Sequence, residues 1–138
     1  MYKKTLRVFG EYLIEGKAIP VNATHTGDKV VRAGKSMSGL EVVAVATVPA
    51  GGNPVSIPAN ATVTITVQQS LDSQVFIPLP TKSETKIEAG KTTFEDGEVI
   101  ARMTLPYDCM PFIKGNLTTA AAPAATGNVD LFLAYLPR

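Results

Sequence analysis

The chain has 138 residues and a formal charge of +1, with 13 Lys and Arg against 12 Asp and Glu; 45% of its residues are hydrophobic and only 18% charged. That length suits one domain around one core, and a near-neutral balance supplies no field that would gather nucleic acid. The single cysteine, Cys109, excludes an intrachain disulfide and with it the disulfide-stapled secreted class, so folding in a reducing compartment is expected.

Residues 1–16 are predicted to form an N-terminal arm ahead of a single domain spanning 17–138. Leu6, Phe9 and Leu13 hold a helix-like spacing, but Gly10 interrupts it, so the segment reads as an arm or a sheet edge that the domain does not need for folding. Its lysines are followed by no apolar block of secretory type. Lys3, Lys4 and Arg7 are the densest basic group in the chain and read as a solvated arm; they are also the candidate partner-contact residues.

Short apolar runs follow, separated by turn chemistry at nearly regular distances. Ala18–Ala23 and Lys29–Ala33 flank a Thr26-Gly27-Asp28 turn, and Leu40–Val48 is apolar on both faces, as an interior strand covered on both sides would be. No charged residue occurs from Val42 to Leu71. Even so, Pro49, Gly51, Gly52, Pro54 and Pro58 break this stretch too often for a membrane-spanning helix. Ala61–Gln69 alternates cleanly: Val63, Ile65 and Val67 are predicted to face a core, and Thr62, Thr64, Thr66 and Gln68 to face outward. Gln74–Leu79 is expected to close at Pro78 and Pro80. Glu95-Asp96-Gly97-Glu98 carries the Asp-Gly signal of a hairpin between Thr92–Phe94 and Val99–Leu105. Pro111–Thr119 and Val129–Leu136 complete the set, joined by a segment, AAAPAATGN, that reads as flexible.

About eight antiparallel strands in this length predict an all-β fold, a two-sheet sandwich of jelly-roll type. The rival immunoglobulin-like sandwich usually carries a core Trp, and this chain has none.

The chemistry-bearing residues are few. The only histidine, His25, lies in NATHTGD and reads as an exposed turn residue; without a second imidazole or thiol, the usual triads and transition-metal sites lack their parts. The Gly51-Gly52 pair lacks the Lys-Ser/Thr ending of a phosphate-binding loop. No catalytic residue, cofactor site or metal site is assigned, and the chain is read as a non-enzyme. The competing reading on the same fold is a carbohydrate-binding jelly-roll module, with Tyr2, Tyr12, Tyr107 and Tyr135 as the available aromatic platform.

The order ATVTITVQQSLD, VIARMTLPYDCMPFIKGNLTT and ATGNVDLFLAYL resembles the jelly-roll capsid cement, or decoration, proteins of tailed bacteriophages. Arg102, Leu105 and Pro106 match a basic-x-x-Leu-Pro motif of that family, and Thr126, Gly127 and Asn128 its last turn. The likeness runs over roughly residues 18–136; the charged first sixteen residues and the Lys- and Glu-rich segment Pro80–Gly97 depart from it. The resemblance implies a structural virion protein on the capsid exterior, made in the host cytoplasm. It would bind major capsid protein as a homo-oligomer, dimer or trimer, with no nucleic-acid or membrane partner.

Overall fold

A computed structural model describes residues 6–27, 29–32, 40–105, 111–122 and 124–135. These residues form eleven strands: β1 (Leu6–Ala18), β2 (Thr24–Thr26), β3 (Val31–Arg32), β4 (Leu40–Thr47), β5 (Val55–Ser56), β6 (Thr62–Ser70), β7 (Ile77–Lys86), β8 (Thr93–Phe94), β9 (Val99–Thr104), β10 (Phe112–Ala120) and β11 (Asn128–Tyr135). The first sheet has the order β1-β11-β4-β9; the second has β2-β10-β6-β7, with β3 also paired to β10. All of these pairings are antiparallel.

Counting β2 with β3 and leaving aside the short β5–β8 pair, the strands number eight. First pairs with last, second with seventh, third with sixth and fourth with fifth, which is a long hairpin rolled into two sheets. The fold is the all-β jelly-roll sandwich that the strand spacing predicts.

Periodicity accounts for the layers. Val63, Ile65 and Val67 of β6 and Ile113 and Leu117 of β10 are buried between the sheets, where they meet Val42, Ala44, Leu131 and Leu133 of the first sheet. Both faces of β4 are buried, as its unbroken apolar run requires. Its outer face joins Val43 and Val45 to Phe132 and Ala134 of β11 in a second, smaller cluster flanked by Tyr12 and Val99. Gly115 allows the sheets to approach closely over β1, since a Cβ there would lie 2.7 Å from Leu131 Cδ2 and 3.0 Å from Leu13 Cδ1. Far from the β6–β7 turn, the sandwich is closed by Val55, Ile57, Ile87, Phe94, Ala122 and Ala125, all buried.

Several expectations are corrected. The predicted arm does not end at residue 16, because Leu6–Ala18 is an edge strand of the first sheet, with Leu13 and Ile14 both buried in the main core. His25 is in a strand rather than a turn, half-buried and paired in register with Leu117. Pro78 and Pro80 do not close their strand; β7 runs through them to Lys86 because it is an edge, where a missing N–H costs no ladder bond. The Asp-Gly turn exists, with Gly97 at φ 84 and Glu98 N donating to Glu95 O at 3.0 Å, but it joins no hairpin. Its flanking strands separate, β8 to β5 and β9 to β4, because the turn is bonded to β4 through Ala46 N to Glu98 O and Gly97 N to Ala46 O, both 2.9 Å. The AAAPAATGN segment is tied down by its buried alanines and by Ala122 N donating to Asn22 Oδ1 at 2.8 Å.

Candidate functional site

Three surfaces stand out. The first is the outer face of the second sheet. β6 and β10 stay in register over nine residue pairs without a bulge, so their outward side chains form straight rows. One row runs Thr24, Thr118, Thr64, Glu84 and the next Thr26, Asn116, Thr66, Lys82. Thr24 and Thr118 are joined through their hydroxyls at 2.8 Å. The middle of the face is uncharged; the charges sit on the edge strand β7 and at Lys114. Behind it lies the buried row Val63, Ile65, Val67 and Leu117, so the face is stiff as well as flat.

The second surface is the tip joining β6 to β7. Ser70 Oγ donates to Asp72 Oδ1 at 3.0 Å and accepts from the backbone N–H groups of Asp72 and Ser73 at 3.2 and 2.9 Å. Asp72 Oδ1 in turn accepts from Gln74 N at 2.9 Å and Val75 N at 3.1 Å. These donors, Gln74 first, then Val75 and Ser70, hold the Asp72 carboxyl below the usual carboxylate range. Ser73 takes a left-handed backbone, φ 65, to complete the turn. The loop is thus fixed by its own polar groups while its apolar side chains point to water: Leu71 is 71% exposed, Val75 69% and Ile77 45%. Lys114 Nζ lies 4.6 Å from the Phe76 ring centroid and flanks the tip.

The third is an open groove of about 510 Å³ between β8 and β9, lined by Lys91, Phe94, Glu98, Val99 and Arg102. Lys91 Nζ pairs with Glu98 Oε2 at 3.0 Å and sits 5.1 Å from the Phe94 ring centroid. Arg102, 45% exposed, places Nε 3.6 Å from Oε1 of Glu41, whose side chain is only 2% exposed. Burial raises the Glu41 pKa, and the Arg102 charge opposes the rise without cancelling it.

The residues singled out in the sequence do not converge on one site. Lys3, Lys4, Tyr107 and Cys109 lie outside the described residues. Arg7 belongs to β1, its backbone opposite Ala134. Tyr12 packs edge-on against Phe132, centroids 5.8 Å apart, and so belongs to the outer cluster of the first sheet. Among the described residues no group of three or more His, Cys, Asp or Glu could hold a metal ion, and no helix is long and apolar enough to cross a membrane. The Thr rows were readable from alternation in β6. The tip was not, because Leu71 and Val75 interrupt a polar turn singly, and the groove arises from strands that the sequence order keeps apart.

No protein-family model matches the chain, and none of the curated proteins matches it in sequence.

Proposed function

We propose that this protein is a structural, non-enzymatic virion component that binds the outer surface of a tailed-phage icosahedral capsid and cements neighbouring major capsid protein subunits. The observation that carries this reading is the flat, uncharged Thr and Asn face of the second sheet, centred on Thr64, Thr66, Asn116 and Thr118. A face whose side chains are short, rotamer-poor and already aligned loses little conformational freedom when covered. It offers hydroxyls and amides for the hydrogen bonds of a contact with protein. Support also comes from the strand order, which is the jelly roll that the family resemblance implies.

Size argues for a multivalent mode of action. Four strands about 4.8 Å apart and nine residues at about 3.3 Å each give a face of roughly 15 by 30 Å, about half the roughly 800 Å² per partner of a stable interface. One subunit then binds weakly, and linked subunits bind by avidity. Because the protein would engage assembled shell and not dispersed subunits, it stabilises the shell by mass action.

The test is co-sedimentation with expanded capsids of the parent virus and their resistance to heat and osmotic shock. The wild-type protein binds and protects, whereas a Thr64→Arg, Thr118→Arg double variant, unchanged in its melting curve, does neither. Capsids that gain nothing from the wild-type protein would sink the proposal.

A further inference from the structure

We propose that copies of this chain associate head to tail, the β6–β7 tip of one seated in the β8–β9 groove of the next. Topology puts the two surfaces at opposite ends of the sandwich. The tip follows Ser70, which pairs with Phe112, and precedes Ile77. The groove gathers around the start of β9 and the segment leading into it, beyond Lys86, which pairs with Thr62 at the far end of β6.

The surfaces complement each other in shape and charge. The tip is convex, with Leu71 and Val75 at its summit and the Asp72 carboxylate between them in the chain. All of the hydrogen bonds Asp72 accepts within the loop end on Oδ1. The groove is concave, floored by Phe94 and Val99 and rimmed by the cations Lys91 and Arg102 against one carboxylate, Glu98. Seating one in the other buries Leu71 and Val75 against apolar floor and brings Asp72 to the cationic rim. A two-fold pairing of tip with tip would instead bring two Asp72 carboxylates together, and like charges across an interface are unfavourable.

Three apolar side chains form a contact well below the roughly 1,000 Å² of a stable interface, so each contact is weak. A head-to-tail contact that closes makes a ring, and closure converts the last weak contact into an intramolecular one. This assembly leaves the Thr-rich face uncovered and requires no capsid.

Sedimentation velocity on the full chain alone tests it, so failure here is separate from failure of the capsid reading. Wild-type protein gains mass with concentration. Leu71→Asp at the tip and Lys91→Glu at the groove each stay monomeric, their folding verified by thermal melts. Mixed, the two variants form a one-to-one pair and nothing larger, since one keeps an intact groove and the other an intact tip. A wild-type protein that is monomeric at every concentration, a Leu71→Asp variant that still associates, or a mixture that recovers no pair overturns the proposal.

Discussion

Glu41 is the most costly polar residue among those described. It stands on β4 between Ala134 of β11 and Thr104 of β9, nearly sealed from water, with Oε1 making no hydrogen bond and only a 3.6 Å ionic contact to Arg102. A buried acceptor left without a donor costs about 1–3 kcal/mol. Because burial raises its pKa, the carboxyl holds its proton more tightly in the folded chain than in the unfolded one. Its contribution to stability is therefore fully present below the ordinary glutamate value and is lost as pH rises through the raised folded value. Glu41→Gln, which cannot ionise, is expected to be more stable than wild type at pH 7 by about 1 kcal/mol, with the advantage vanishing in acid. Urea titrations of both proteins between pH 4 and pH 8, bounds set by the ordinary carboxylate range, check this; parallel curves would contradict it. The sequence shows Glu41 only as one charge heading an apolar run, LEVVAV. Its burial follows from the covering of both faces of β4, which no local pattern specifies.

At the scale of elements, β1 separates what was legible from what was not. Clean alternation, as in β6, announces both a strand and its inward face. In β1 the register against β11 shifts between Tyr12 and Ile14, so the adjacent residues Leu13 and Ile14 are both buried, and alternation is lost where it would have been informative. The same segment read as a dispensable arm is thus an edge strand covering β11. Deleting residues 1–15 removes two buried aliphatic side chains, worth about 2–5 kcal/mol each, and bares an edge strand whose two faces are both apolar. The truncated protein is expected to lose its cooperative melt and to aggregate, as followed by far-ultraviolet circular dichroism and light scattering. A truncated chain that melts like the full one would restore the arm. The Asp-Gly turn teaches a related lesson. Its local geometry was correctly signalled, but the partners of the flanking strands are set by hydrogen bonds to Ala46, a residue about fifty positions earlier.

For the whole molecule, the rolled-hairpin order makes nearly every pairing non-local. Among the described strands, β6 and β7 are the one pair of chain neighbours bonded to each other, across the short tip held by Ser70 and Asp72. By contrast β1 must find β11, joining Leu6 to Tyr135. Loop-closure entropy therefore favours early formation of β6–β7, extended by β10, with the first sheet closing late. Folding in milliseconds to seconds is expected for such a topology. Ile65 in β6 and Leu133 in β11 are both fully buried, so each reports on its own sheet. Ile65→Val, costing about 0.5–1.5 kcal/mol, is expected to slow refolding with little change in unfolding. Leu133→Ala, costing about 2–5 kcal/mol, is expected mainly to speed unfolding. Stopped-flow chevrons of the two variants decide the order, and the reverse assignment would place the nucleus in the first sheet, where the ends of the chain meet.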